Sequence, residues 1–381
     1  MKIHYFDFVA TGGVHTTFNS AMIEVLNKVY PENEGIILHS EKEHGKIVQE
    51  KCESEIEVNA RRFVDRIKYR RIKDLINSIS VFFKILFSNN KNLFFVGLAF
   101  PFTVNSIFLS SKLFGKKVFL CLHGELQYLL DCDESIFDRK SKHYFSQMKF
   151  SFSGKNRNLN YIILGSTIYE SVKHLFNPQN KIIVINHPSI FSDISENIVE
   201  TYLQKPICIA QIGAGVKRKG SGYIFELARL LKPEIEKGEI ILKILGFCTD
   251  DFPEKTSELV KFYDRFLSEK QLNDEIKKID FSLQLTTDSI CTAIASGTLI
   301  DSLIFGKPVL GLHSTYLDSY LNEKQKELVC SSVNELADLI KNRIIKCTAE
   351  NYMQYKESVK EIRSTFSVEY NANLFKAGLE K

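Results

Sequence analysis

Short apolar runs alternate along the chain with longer stretches in which apolar residues recur every three or four positions. This is the pattern of a parallel β-sheet with helices packed on its faces. In the first half the runs predict strands at Lys2–Val9, Gly35–His39, Asn92–Val96, Lys117–Leu122, Tyr161–Leu164 and Lys181–Ile185. The stretches between them predict helices over Thr17–Val29, Ile72–Phe87, Phe102–Leu113 and Ile168–Phe176. A polar segment, Asn186 to Pro206, is bounded by Pro188 and Pro206 and reads as a linker. The pattern then restarts, with strands at Ile207–Ile212, Ile240–Leu245, Phe281–Leu285 and Pro308–Leu312. Helices are predicted at Ser221–Leu231, Ser257–Phe266, Ser296–Phe305, Val333–Ile345 and Ala349–Phe366.

Two α/β domains in series follow, each Rossmann-like, over 1–188 and 206–360. Ligands bind open parallel sheets at the carboxyl ends of strands, and most polar loops of this chain follow strands directly. The richest segment is SGTLIDSLIFGKPVL, Ser296 to Leu310. It has a Ser-Gly-Thr turn, a short helix containing Asp301, and Gly306-Lys307-Pro308 before an apolar strand. A helix N-terminus offers unpaired N–H groups and partial positive charge to a phosphate. Asp301, about a turn further in, can accept hydrogen bonds from sugar hydroxyls. An ordinary helix closed by Gly306 fits the same letters. In QIGAGVKRKGSGYIF, Gln211 to Phe225, Gly213, Gly215, Gly220 and Gly222 surround Lys217, Arg218 and Lys219. A flexible loop that brings cations to a strand end suits a diphosphate, Arg binding in bidentate fashion and Lys as a point charge. An exposed basic loop is the plainer alternative.

The first half offers three further candidates. ATGGVHTTFNSAM, Ala10 to Met22, places Gly12 and Gly13 in a tight turn, His15 toward a ligand, and Thr16 or Thr17 as a helix cap. It lacks the full G-x-G-x-x-G spacing, so a plain strand-to-helix turn also fits. LHGELQYLLD, Leu122 to Asp131, sets His123 and Glu125 about a glycine at a strand end. Either can act as a general base or orient a hydroxyl; a structural histidine beside a capping glutamate explains the same letters. Gly165-Ser166-Thr167 and Asn186-His187-Pro188 suit a ligand contact or, more simply, a hinge.

Length and composition fit this picture: 381 residues, 44% hydrophobic and 25% charged, are ordinary for a folded two-domain chain. The net charge of +4 is uneven, with about 25 basic and 18 acidic residues in the first 190. The densest cluster, RRFVDRIKYRRIK from Arg61 to Lys73, suits anionic lipid headgroups or is a solvated helix face. No nucleic-acid recognition motif accompanies it. The eight cysteines are scattered without a C-x-x-C pair, which argues for a reducing cytoplasm and against a disulfide framework or a zinc site. The N-terminal strand lacks the features of a secretory signal. The most apolar region, Val81 to Leu122, is broken at Ser88–Asn92 and Pro101, short of spanning length. A cytoplasmic protein, soluble or peripheral on the inner membrane face, is expected.

On these residues the chain resembles the GT-B glycosyltransferases, especially the large retaining group that uses nucleotide sugars. The strand leading into Gly12-Gly13-Val14-His15 and the strand–loop–Lys219-Gly220–helix are similar to the family's two domain openings. Ser296 to Leu310 looks like its acidic-helix-Gly-x-Pro-Val donor signature. FSVEYNANLF, Phe366 to Phe375, is similar to its last helix, which crosses back to the first domain. The resemblance implies two Rossmann-like domains facing across a cleft, with 361–381 returning to the first. It implies transfer of a sugar from a nucleotide-diphosphate donor, a UDP-sugar being expected, to a carbohydrate or lipid-linked acceptor in bacterial surface polysaccharide synthesis. Gly213, Gly215, Arg218 and Lys219 would serve the diphosphate. Ser296, Gly297 and Thr298 would meet the phosphates, and Asp301 would replace the ribose-binding glutamate. Gly13, His15 and His187 would lie on the acceptor side, with Glu125, His123 and Asp131 as candidate bases. No metal and no cofactor beyond the donor is implied. Two departures stand out: the first family glutamate falls on Ala293, and a basic residue common after the strand glycine falls on Ala214. Retention and inversion both stay open, as do a nucleotide-sugar epimerase on the same fold and a non-catalytic nucleotide-sugar-binding paralogue.

Overall fold

The computed structural model describes residues 1–60, 69–130, 133–191, 203–248, 252 and 258–380. They form two compact units. The first comprises Met1–Ile190, Ala293–Ala295 and Phe366–Lys381, the second Phe191–Thr292 and Ser296–Thr365. The expected linker therefore divides: Asn186 to Ile190 belongs to the first unit, and 192–202 lie outside the described residues. Of the basic cluster Arg61–Lys73, positions 61–68 also lie outside them.

The first unit is built on seven parallel strands: β1 (Ile3–Asp7), β2 (Ile36–Ser40), β3 (Ile56–Ala60), β4 (Leu93–Leu98), β5 (Val118–Leu122), β6 (Leu159–Leu164) and β7 (Lys181–Ile185). Their spatial order is β3-β2-β1-β4-β5-β6-β7. Strands β5 and β6 are buried at every position, as expected where helices cover both faces of a parallel sheet. Helices α1 (Thr16–Val29), α2 (Lys42–Lys51), α3 (Arg70–Phe87) and α4 (Pro101–Phe114) connect the early strands. Neither β3 nor α2 follows from the hydrophobic pattern. The outer strand β3 exposes Glu57 and Asn59, which breaks the apolar run. Helix α2 buries only His44, Gly45 and Val48, and its start is fixed by a cap instead: the Glu41 carboxylate accepts from Glu43 N and His44 N.

Helix α4 begins with Pro101 and ends at Gly115, whose φ of 66° closes it in the left-handed region. Its own N-cap, Phe100, makes no side-chain bond; Asp74 of α3 replaces it. The buried Asp74 carboxylate accepts from Phe102 N at 2.7 Å, Thr103 N at 3.0 Å and Tyr144 Oη at 2.5 Å.

The second unit carries six parallel strands: β8 (Ile207–Ile212), β9 (Ile240–Phe247), β10 (Val260–Tyr263), β11 (Phe281–Gln284), β12 (Val309–Leu312) and β13 (Val329–Cys330). Their order is β10-β9-β8-β11-β12-β13. The helix expected over Ser257–Phe266 is instead the edge strand β10, paired in parallel with β9; Ser257 itself lies outside the described residues. Its core, Val-Lys-Phe-Tyr, buries Val260 and exposes Lys261, an alternation too short to separate from helical spacing in sequence. Helices α5 (Gly222–Leu230), α6 (Glu269–Lys277) and α7 (Gly297–Ile304) flank the sheet. The last helix, α8 (Val368–Glu380), returns to the first unit. There Phe375 packs against Phe119 of β5, and Asn371 Oδ1 accepts from Asn186 N at 2.8 Å. Among the described residues no helix is long and apolar enough to cross a membrane.

Candidate functional site

Each sheet collects candidate residues at the carboxyl ends of its strands. In the first unit the organising group is Asp7, the buried last residue of β1. Its Oδ1 accepts from Val9 N at 3.0 Å and Ala10 N at 2.8 Å, and its Oδ2 from Asn19 Nδ2 at 2.6 Å. Asn19 also binds Tyr5 Oη through Oδ1 and His44 Nε2 through Nδ2. His44 Nδ1 faces the Gly12 carbonyl oxygen at 2.9 Å, so that nitrogen carries the hydrogen and Nε2 accepts. This buried network pins the glycine loop from beneath. Its one signal in the sequence is an acidic residue at a strand end just before two glycines.

The pinned loop leads to His15. It is the N-cap of α1 and, among the described residues, the one non-glycine with positive φ, at 60°. Left-handed backbone is costly for a side chain with a Cβ and persists where the surroundings enforce it. The expected threonine cap is absent: Thr16 Oγ1 donates back to the Gly13 carbonyl at 3.1 Å. Gly13 itself lies exposed in the turn. The His15 ring meets His123 edge-on at 5.2 Å, and Phe18 meets His123 at 4.6 Å and His187 at 5.0 Å. His123 and His187 thus pack on one phenylalanine, and His15, from a third loop, packs on His123.

These histidines are held neutral. Burial pushes His123 well below its ordinary value, and His15 and His187 push it further. Its Nε2 donates to the Gly97 carbonyl at 2.8 Å, which leaves Nδ1 as the bare nitrogen. Burial takes His187 down to about 4, and its Nδ1 has no hydrogen-bond partner among the described residues. Burial also lowers His15, against the opposing pull of Asp7. Glu125, buried in the 3₁₀ turn after β5, is pushed up by burial to about 7. Its Oε1 accepts from His123 N at 2.9 Å. The turn binds the first unit's late segment as well: Gln127 Oε1 accepts from Ala293 N at 2.9 Å. Ala293 is therefore a buried alanine held by its backbone. Asp131, the third candidate base, lies outside the described residues.

The second unit's edge is cationic. The loop after β8 folds into a 3₁₀ turn, Lys217–Lys219, which leaves Lys217 and Arg218 more open to solvent and turns Lys219 inward. Burial lowers the Lys219 ammonium to about 8, against the pull of Asp301 toward the charged form. A Cβ at Gly213, where φ is 82°, would lie 2.8 Å from Lys219 Nζ and 3.9 Å from Thr298 Cγ2. Gly213 thus makes the space in which loop and helix α7 come together. Gly215 acts differently, because its N donates to the Phe247 carbonyl and packs the loop onto β9.

Ser296 caps α7, its Oγ accepting from Leu299 N at 3.2 Å. Gly297 is the first helical residue, with open space where its Cβ would be. Thr298 Oγ1 donates to Gln284 Oε1 at 3.1 Å, and Ser296 Oγ lies 3.4 Å from the same oxygen. The other end of that amide, Gln284 Nε2, is buried and has no partner among the described residues. Gln284 closes β11, and nothing in the sequence points to it, since a lone glutamine at the end of an apolar run carries no signal. Downstream, Lys307 Nζ donates to the Lys277 and Ile279 carbonyls. It ties α7's exit to the end of α6, so this part of the informative segment is structural.

No protein-family model matches the chain, and no curated protein matches it. Solved structures match over its full length. HepE from Anabaena, in complex with UDP-glucose, is 13% identical at a TM-score of 0.65, over 100% of this chain and 99% of that one. WaaB, a lipopolysaccharide outer core galactosyltransferase in its apo form, is 13% identical at a TM-score of 0.62, over 100% and 99%. Sucrose-phosphate synthase from Thermosynechococcus elongatus is 11% identical at 0.63, over 98% and 96%. The two sheets are therefore the two Rossmann-like halves of the GT-B fold.

Proposed function

We propose that the protein is a glycosyltransferase that takes a nucleotide-diphosphate sugar, with a UDP-sugar as the expected donor. One observation carries this reading. At the start of α7 a buried, unpartnered Gln284 Nε2, the Ser296 and Thr298 hydroxyls and the Lys219 ammonium gather beside Gly213. Such a group supplies a neutral donor, a helix end and a cation to an anion. Lys219 and Arg218 bind the diphosphate, the Ser296–Thr298 helix end meets its phosphates, and Asp301 takes the ribose hydroxyls. HepE, crystallised with UDP-glucose, and WaaB, named a galactosyltransferase, support this choice of chemistry.

In the reaction the acceptor oxygen forms a bond to the sugar's anomeric carbon, and the bond from that carbon to the diphosphate oxygen breaks. The electron pair leaves with the diphosphate, where Lys219, Arg218 and the helix end stabilise it, so this reading needs no metal ion. The first unit receives the acceptor around Gly13, His15 and His187. Glu125, poised near 7, takes the acceptor proton in an inverting course, whereas His123 stays a neutral acceptor of hydrogen bonds. The acceptor is a carbohydrate or lipid-linked sugar of a bacterial surface polysaccharide, met at the inner membrane face.

Thermal shift with UDP, GDP and ADP tests the donor site, because a ligand that binds the folded state raises the melting point with occupancy. UDP is expected to stabilise the wild type and not Lys219→Ala; no shift with any nucleoside diphosphate would sink the reading. Product analysis follows. Glycoside plus free UDP marks a transferase, and isomerised donor without acceptor marks an epimerase. Binding without turnover across an acceptor panel marks a non-catalytic paralogue, the outcome that Ala293 favours.

A further inference from the structure

Helix α3 buries a mixed face that includes Val81 and Ile85, and it turns a second, apolar side to solvent. Asp74, Asn77 and Ser78 are buried. Asp74 caps α4, Asn77 Nδ2 donates to the Phe8 carbonyl, and the Ser78 carbonyl accepts from Ser106 Oγ. Facing outward at spacings of three and four stand Ile72, Leu75, Ile79, Phe83 and Phe87. Ile79 is 52% exposed and Phe87 80%, so this is an open stripe and not a partly covered seam. Phe82 joins the stripe to Phe114 of α4 at 5.3 Å, and α4 leaves Leu109 and Leu113 exposed. A contiguous apolar strip of this kind in a folded protein marks an interaction surface.

Its charge has one sign. Helices α3 and α4 expose Arg70, Arg71 and Lys112, with Lys73 half-buried; Lys84 turns inward to His39 Nδ1 at 3.4 Å, and the only acid, Asp74, is buried. We propose that the α3–α4 face docks on an anionic lipid bilayer. The apolar stripe sinks to the boundary between headgroups and acyl chains, and the cations meet lipid phosphates. Self-pairing of two copies fits less well. An isologous contact would set these cations against their own kind with no exposed acid on either helix to answer them. The inference deepens the membrane part of the reading above by giving it a defined surface, and it does not depend on the nucleotide site.

Flotation of the full chain with phosphatidylglycerol–phosphatidylcholine vesicles, and with phosphatidylcholine alone, tests it. The wild type should float with the anionic vesicles, and Ile79→Glu/Phe83→Glu should lower the bound fraction about tenfold. Both positions are exposed, so circular dichroism and the UDP thermal shift, measured without vesicles, should not change. That shift also separates failure here from failure of the donor reading. The chain contains no tryptophan, so Phe87→Trp gives a single reporter. Its emission should move to the blue on anionic vesicles and be quenched by brominated acyl chains. No flotation of the wild type, flotation untouched by the double variant, or a reporter that stays in water would each overturn the proposal. So would a lipid-free dimer that the double variant dissolves, since the stripe would then belong to a second copy.

Discussion

The two strand-end surfaces answer opposite electrostatic demands. The second unit's edge offers a partly buried ammonium, two hydroxyls, a helix N-terminus and an unpartnered amide nitrogen, all of them donors. The first unit's edge offers three histidines stripped of charge by burial and a carboxyl lifted to about 7. The same Rossmann-like frame thus carries a surface suited to anions and a surface suited to uncharged hydroxyls. The difference lies in the strand ends, loops and helix starts, as fold alone leaves function undetermined.

The sharpest way to break that comparison is Lys219→Ala. Transfer should fall on the order of 1000-fold, as when one preorganised stabiliser of a leaving group is removed. Melting temperature should hold or rise, because burial already disfavours the charged amine. Wild-type UDP affinity, followed by calorimetry across pH, should weaken above about pH 8, where the free protein's Lys219 loses its proton, and the variant should lack that step. A variant that binds UDP normally would remove the contrast between the surfaces.

The next test falls on the first unit. Glu125→Gln should abolish the rising limb of kcat/KM near pH 7 if the carboxylate takes a proton, while UDP binding stays unchanged. Stability should change with pH as well. A carboxyl raised from 4.5 to about 7 binds more protons folded than unfolded, so wild-type stability falls relative to the variant as pH climbs through that window. The full loss is about 3 kcal/mol, measured by denaturant titration at successive pH values. A smaller effect is expected of Gly213→Ala. It should reduce UDP affinity about tenfold, since the added Cβ would meet Lys219 Nζ at 2.8 Å on a left-handed backbone. The smallest is His15→Gly, which relieves positive φ and should stabilise by about 1 kcal/mol while slowing transfer, again with UDP binding intact.

Much of the second unit's surface is legible in the sequence because its residues are contiguous. Gly213 to Lys219 and Ser296 to Asp301 each form one loop or helix start, and local chemistry announces both. Gln284 is not legible, since its meaning depends on the hydroxyls of a helix that follows it in the chain. In the first unit His15, His123 and His187 can be named singly, but the packing of His123 and His187 on Phe18, and of His15 on His123, is a product of sheet order. Strand β10 reads as part of a helix because four residues cannot distinguish a period of two from one of 3.6. The α3 stripe is visible as helical periodicity, but periodicity does not say which side faces in. The inward bonds of Asp74 and Asn77, with the burial of Val81 and Ile85 on the same face, decide that.

The return of α8 to the first unit bears on how the chain is made. Ala372 and Phe375 lie in the same buried cluster as Phe119 and Ile183, so the first unit is completed only by residues that follow the second unit along the chain. The whole second unit is synthesised in between, a delay on the order of tens of seconds. Through that interval the helix-side surface of β7 stays uncovered, and a nascent chain stopped at Thr365 would expose it permanently. The order of synthesis therefore leaves the first unit short of one helix of its core until the second unit has been made.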